Sequence, residues 1–181
     1  MGLRKASSYS KKKARPYTRK STKKSKAFIK TIPQNKIVKF NMGDGDSYRK
    51  RKHKYEMRLI SAERVQIRDN SLEACRQLVN KILDKAIPGN YYFVVKVFPH
   101  HILRENKAAG GQAGADRLSH GMKHSFGITI GRAAIVNKGK EIFFISCPDE
   151  KTARIARAAL SKVKAKIPCR SRIIFEMVSE T

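Results

Sequence analysis

Apolar residues recur along the chain at two spacings, and the spacing predicts the elements. Lys36-Ile37-Val38-Lys39-Phe40 alternates, which predicts a first strand. Asn41–Lys54 reads as a loop, with a turn at Gly43-Asp44-Gly45-Asp46. Tyr55, Met57 and Leu59, then Val65 and Ile67, predict a strand or two with an irregular centre. From Leu72 the period lengthens: Leu72, Cys75, Val79, Ile82, Leu83 and Ala86 fall on one helical face. Asn70, with Glu73 three places on, has the form of an N-cap with a reach-back acid. Ile87-Pro88-Gly89 stops the helix, because proline brings no N–H to continue the ladder. Tyr91–Phe98 then predicts a strand ended by Pro99.

The second half repeats this order. Ile128–Val136 and Glu141–Ser146 predict two strands joined as a hairpin through Asn137-Lys138-Gly139-Lys140. Pro148-Asp149-Glu150 opens a helix, its acids at the positive end of the dipole. Ala153, Ala156, Ala159, Leu160, Val163 and Ile167 supply its buried stripe, Ile167-Pro168 stops it, and Arg172–Met177 closes the chain as a strand. Strand, helix, Ile-Pro and strand thus occur twice, as pseudo-symmetry or as coincidence. An α+β class follows, with two helices on one face of a mostly antiparallel sheet.

Charge changes this picture of an ordinary domain. The 181 residues hold 41 Lys and Arg against 14 Asp and Glu, a formal net charge of +27. A compact state of one sign repels itself, and a polyanion removes the repulsion. Twelve cations lie in residues 1–30: Arg4, Lys5, Lys11, Lys12, Lys13, Arg15, Arg19, Lys20, Lys23, Lys24, Lys26 and Lys30, with no acid among them. Leu3, Phe28 and Ile29 are nearly all the apolar residues there, too few to offset the entropy of ordering. Residues 1–30 therefore read as a basic extension that orders on a polyanion, with Tyr9 and Tyr17 placed to stack on bases if that polyanion is a nucleic acid. Residues 31–181 read as a single domain. A second basic run, Arg49, Lys50, Arg51, Lys52 and His53, lies within it. Arg154, Arg157, Lys162, Lys164 and Lys166 fall off the apolar stripe of the second helix, where phosphates could be met.

Other classes are disfavoured. No apolar run approaches the roughly 20 residues of a spanning helix, so no membrane role is expected. The basic N-terminus lacks the apolar stretch of a secretory signal. Cys75, Cys147 and Cys169 are three, without metal-knuckle spacing, and read as small buried hydrophobes in a reducing, cytoplasmic setting.

His100–Phe126 does not read as scaffold. Small residues fill 108–115, Gly110, Gly111 and Gly114 permit close backbone approach, and Arg104, Lys107 and Arg117 flank them. A nucleotide P-loop would end Gly-Lys-Ser/Thr, whereas this one ends Gly114-Ala115-Asp116. His120 and His124 have a metal-like i, i+4 spacing, but the zincin Glu is missing. Asp116, Ser119 and His120 lie too close in sequence for a hydrolase triad and lack a nucleophile elbow. No enzyme, metal or cofactor is expected.

Pro99-His100-His101-Ile102-Leu103-Arg104-Glu105-Asn106-Lys107, Ala113-Gly114-Ala115-Asp116-Arg117-Leu118, Gly121-Met122 and Ser125-Phe126-Gly127 together resemble the universal large-subunit ribosomal protein sixteen family, whose archaeal and eukaryotic form is ten-e. Arg15-Pro16-Tyr17-Thr18-Arg19 and Phe40-Asn41-Met42-Gly43 resemble its amino-terminal marks. The resemblance covers nearly the whole chain and is most specific over 99–127. It implies a two-layer α/β sandwich that binds large-subunit rRNA at the base of the central protuberance. It implies a loop, 103–118 here, facing tRNA acceptor ends and the peptidyl-transferase centre, with Arg104, Asn106, Lys107, Gly110, Gly111, Gly114, Asp116 and Arg117 as its positions. Asp116 stands between anchoring that loop and touching RNA. His100, His101, Lys123 and His124 join the tail and the 49–53 run on the rRNA side. The implied partners are rRNA and tRNA, with 5S rRNA and neighbouring ribosomal proteins left open, no homo-oligomer, and Mg²⁺ only as structural ions of nearby rRNA. The first thirty residues are richer in Lys than the family's usual opening, and Ala108–Ala113 is smaller and more glycine-rich than its loop tip. The chain ends soon after its last strand, which points to the archaeal type.

A general nucleic-acid compaction or RNA chaperone protein would use the tail but not the 99–127 segment. An RNA-processing enzyme would use the His-rich loop. Removal of residues 1–30 is expected to weaken RNA binding and to flatten its salt dependence, each lost phosphate contact taking about 0.7–0.9 from the log–log slope. Filter binding across a salt series checks this; an unchanged slope would show that the tail is no phosphate anchor.

Overall fold

The computed structural model describes residues 31–105 and 128–178, with Ser25 and Ile29 besides. Eight strands and three helices follow in order: β1 (Asn41–Gly43), α1 (Gly45–Arg49), β2 (Tyr55–Ser61), β3 (Val65–Arg68), α2 (Asp69–Ala86), β4 (Tyr92–Val95), β5 (His101–Glu105), β6 (Ile128–Val136), β7 (Glu141–Cys147), α3 (Glu150–Val163) and β8 (Ser171–Met177). The class is α+β, as the periodicities predict, but the strands divide between two sheets. One has the order β1-β4-β7-β2-β8 and the other β3-β6-β5, and every recorded pairing is antiparallel.

The two long helices pack on each other and bind the sheets into one core. α3 lies on β2, β7 and β8, while α2 lies on β3 and β6. Met57, Leu59, Phe93, Phe143 and Ile145 of the larger sheet, Ile67 and Val136 of the smaller, and Leu72, Val79, Leu83, Ala156, Leu160 and Val163 of the helices form one buried cluster. Burial of each such Leu or Phe stabilises by about 1.5–3 kcal/mol. The predicted helical stripes are largely those found: Leu72, Cys75, Val79 and Leu83 are buried, as are all six positions of the α3 stripe through Ile167. Cys75 and Cys147 are buried, and burial pushes their thiols up to about 12 and about 11. Such thiols are packing groups rather than nucleophiles.

Several local expectations give way to tertiary contacts. Lys36–Phe40 is extended but joins no ladder. Two of its backbone donors go to side chains of α2, Lys36 N–H to Asp69 Oδ2 (3.3 Å) and Val38 N–H to Glu73 Oε2 (3.3 Å), and Ile37 N–H goes to Asn35 Oδ1 (3.1 Å). Glu73 is therefore not a reach-back acid. Two carboxylates do for this segment what a neighbouring strand would do. Asn70 is not the cap either: α2 begins at Asp69, and Arg68 occupies the cap position with no side-chain bond. Ile87 and Gly89 still end the helix, Ile87 N–H returning to the Leu83 carbonyl and Gly89 turning at φ +74°. The 41–54 loop contains β1 and α1, because Asp44 accepts from the Asp46 and Ser47 amides (3.0 Å each) and starts a short helix.

The predicted 128–146 hairpin is the largest correction. β6 and β7 do not pair. β6 lies between β3 and β5, whereas β7 lies between β4 and β2. The 137–140 turn forms (Lys140 N–H to Asn137 O, 3.1 Å) but docks on β2, through Gly139 N–H to Ser61 O and Ser61 N–H to Lys140 O. The chain thereby crosses from one sheet to the other. The repeated strand–helix–strand order is likewise not a repeat in space. β7 and β8 run parallel in one sheet with β2 between them, while β3 and β4 belong to different sheets.

Glu73 ties residues 36–38 to α2. It is 8% exposed and binds Arg76 (2.6 and 2.8 Å), Gln77 and the Val38 amide. These bonds, the Arg76 pair first, hold its carboxyl below the usual range despite burial. A depressed carboxylate contributes stability that is present above its unfolded pKa and is lost as pH falls through the folded one. Glu73→Ala is expected to cost about 3 kcal/mol at neutral pH, because it strands the Arg76 charge, and less in acid. Urea denaturation at both pH values checks this; a cost that does not shrink in acid would contradict it.

Candidate nucleic-acid interface

The 49–52 basic run closes α1. Lys50, Arg51 and Lys52 donate their amides back to Asp46, Tyr48 and Ser47 (3.0, 3.0 and 3.1 Å), which spends the backbone and leaves the four side chains exposed. Arg51 has φ +55°, a left-handed turn held by a residue with a full side chain. The Arg49–Asp46 pair is 82% exposed on both sides and takes little from the charge of the run. Tyr48 fixes the unit to the larger sheet: its ring stacks on Tyr92 (4.9 Å) and meets Phe144 edge-on (5.6 Å).

His53 is a correction to the expected RNA side. It is 6% exposed, its Nδ1 lies 3.2 Å from Ser146 Oγ, and desolvation pushes its pKa down. The side chain joins the basic turn to β7 rather than facing out. His101 is also buried, in β5, and desolvation lowers its pKa too. Both imidazoles face the interior because the strands they adjoin are covered, which a run of residues does not reveal.

His100 is exposed and sits at the end of an aromatic stack that the sequence reading did not pick out. Its ring lies 4.6 Å from Phe98, which stacks on Phe40 at 5.4 Å. Phe98 is exposed, and Lys39 and Lys96 are exposed beside these residues in sequence. Arg104 lies in β5, so the first three residues of the expected 103–118 loop, 103–105, belong to a strand. A bulge marks that place. Leu103 pairs with Gly131 and Arg104 with Thr129, which leaves Ile130 unmatched and bends the ribbon at the root of the loop.

The third cationic surface is α3. Arg154, Arg157 and Lys162, and Lys164 and Lys166 of the following 3-10 turn, are exposed as predicted, and Lys151 is exposed with them. Glu150 holds Arg154 at 2.6 Å. The opposite sign gathers on the outer face of the larger sheet, where Arg58 binds Glu56 (2.9 Å), Glu176 (3.1 Å) and Glu141 (3.6 Å).

The remaining predicted positions lie outside the described residues: Arg4, Lys5, Lys11, Lys12, Lys13, Arg15, Tyr17, Arg19, Lys20, Lys23, Lys24 and Lys26 of the extension, Asn106, Lys107, Gly110, Gly111, Gly114, Asp116 and Arg117 of the loop, and Lys123 and His124 of the rRNA set. Among the described residues no group of three or more His, Cys, Asp or Glu could hold a metal ion, and no helix is long and apolar enough to cross a membrane.

An α+β domain with exposed cationic surfaces on the 49–52 run and on α3, and an exposed aromatic stack besides, is a nucleic-acid-binding protein in form. Comparison with known proteins narrows this. Residues 15–174 match the family described as ribosomal protein L16p/L10e. The chain is 40% identical over 179 residues to the large ribosomal subunit protein uL16 of Staphylothermus marinus, covering 97% of this chain and 95% of that one. It is 41% identical over 175 residues to the uL16 of Methanococcus maripaludis (96% and 94%) and 38% identical over 177 residues to that of Pyrobaculum calidifontis (97% and 95%). The chain belongs to the ribosomal protein L16p/L10e family, in agreement with the resemblance of its 99–127 segment and with its archaeal type.

Arg51 separates stability from binding. Arg51→Gly is expected to relieve about 1 kcal/mol of left-handed strain while removing one cation from the interface. Thermal melting should rise and RNA affinity should fall. Unchanged RNA affinity would exclude the 49–52 run from the interface.

Proposed function

We propose that the protein is a structural constituent of the large ribosomal subunit, in the cytoplasm. It binds large-subunit rRNA near the base of the central protuberance and helps to position tRNA acceptor ends near the peptidyl-transferase centre. Family membership supports the coarser part, since the relatives are named as large-subunit proteins. The observation that carries the reading from the geometry is how the charges are spent. Carboxylates are used inside the molecule: Asp69 and Glu73 on the 36–38 backbone, Asp44 on α1, Glu63 on the Arg170 amide (2.8 Å), Asp84 on Tyr91, and three glutamates on Arg58. The cations of 49–52 and α3 are left pointing outward.

The mechanism is placement rather than bond chemistry. Lys and Arg neutralise crowded phosphates and release counterions. Contacts to the phosphate backbone fix orientation without reading sequence. Exposed rings, Phe98 and His100 among them, can stack on unpaired bases. The β5–β6 ribbon, bent at Ile130, carries the 106–127 segment, whose Asn106, Lys107, Asp116 and Arg117 face tRNA in this reading. 5S rRNA and neighbouring ribosomal proteins are further partners on the same basis.

Deletion of 105–115 tests the finer part. The expected outcome is normal incorporation into large subunits with impaired tRNA binding and peptide synthesis. Normal translation by such particles would remove the loop's role. Loss of all RNA binding by the purified protein would favour a recognition or processing loop instead.

A further inference from the structure

Phe175 is exposed where its surroundings predict burial. It lies in β8 opposite Met57, which is fully buried, and on the same side of the strand as Ile173, which packs on the core. Phe175 itself is 46% exposed. β8 is the outer strand of its sheet, and α3, which packs mainly on β2 and β7, leaves a gap beside it. That gap is a cavity of about 270 Å³ lined by Glu150, Ala153, Arg154, Arg157 and Phe175.

The lining is divided by chemistry. Tyr55 stacks against Phe175 at 5.8 Å and 23°, which holds the ring in place. Ala153, a small residue, keeps the helix wall low. Arg154 is engaged by Glu150, through Nη2 at 2.6 Å and Nε at 3.2 Å. Arg157, nearly one turn further on, has no ion-pair partner among the described residues. The cavity therefore offers an aromatic surface on one side and an uncompensated guanidinium on the other. Arg154 and Arg157 of its lining belong to the exposed cationic face of α3, where Glu150 is the one acid of the helix. A protein strand added to the β8 edge would use backbone groups and would have no need of Arg157. A nucleotide uses both parts, the base on the ring and the phosphate on the guanidinium.

We infer that the cavity between the first turns of α3 and β8 is a nucleotide subsite, which takes one unpaired base of RNA against Phe175 with its phosphate on Arg157. This rests on the RNA-binding reading above and names a place that the reading did not require.

The chain contains no Trp, so Phe175→Trp puts a single fluorescent reporter in the cavity. The full chain carrying it is titrated with an unpaired, single-stranded oligoadenylate and, separately, with inorganic polyphosphate at the same salt, binding being followed independently by sedimentation. The expected result is quenching by the RNA and none by polyphosphate, although both bind. Adding Arg157→Ala, an exposed helix position that leaves the fold intact, is expected to move the quenching midpoint to about fivefold higher RNA. In the native-ring background Phe175→Ala is expected to weaken oligoadenylate binding about tenfold. RNA that binds without quenching, or equal quenching by polyphosphate, would overturn the subsite and leave the RNA-binding reading standing. A blue-shifted, unquenched reporter in assembled subunits would assign the cavity to a protein neighbour and overturn it too. Failure to bind either polyanion would remove the RNA-binding reading itself, and the subsite with it.

Discussion

Carboxylates are the scarce component of this protein, and where they are spent decides much of the rest. With 41 cations against 14 acids, acids scattered over the surface could not balance the charge. They serve instead as struts. Asp69 and Glu73 take the place of a neighbouring strand for residues 36–38, so the domain can begin without a ladder. Asp44 builds α1 and thereby presents Arg49–Lys52. Glu56, Glu141 and Glu176 converge on Arg58, across strands β2, β7 and β8, and give the larger sheet an outer face unlike the rest of the surface. What remains exposed is cationic on two elements far apart in sequence. Self-repulsion then makes a polyanion partner part of the stable state rather than an accessory.

The division into two sheets gives this arrangement its reach. One core serves both, through the α2–α3 contact, so the smaller sheet is held rigidly against the larger. The β5–β6 ribbon belongs to the smaller sheet and is bent by its bulge at Ile130. Paired strands hold their ends more closely than a coil would, which suits the proposed role in placement.

Elements whose evidence is local were legible in the sequence. The stripes of α2 and α3 follow the 3.6-residue period, and both Ile-Pro stops hold. The cationic ridge of α3 follows from the same wheel. What failed depends on contacts between distant residues. Lys36–Phe40 alternates like a strand, but its partners are side chains 33 and 35 residues away. Ile128–Ser146 has the pattern of a hairpin, yet each half finds a better partner elsewhere. His53 and His101 read as surface ligands because flanking charge says nothing about which side of a strand is covered. The exposure of Phe175 is likewise invisible in the pattern, which predicts the Arg172–Met177 strand but cannot show that it lies at the edge of its sheet.

The central claim is that the outward cations exist to meet large-subunit rRNA. Sedimentation of native lysate through a magnesium-containing gradient at moderate salt, probing for this chain, tests it most directly. The account predicts stoichiometric co-migration with the large ribosomal subunit and release only at high salt. Migration with DNA, or as a small free complex, would contradict it.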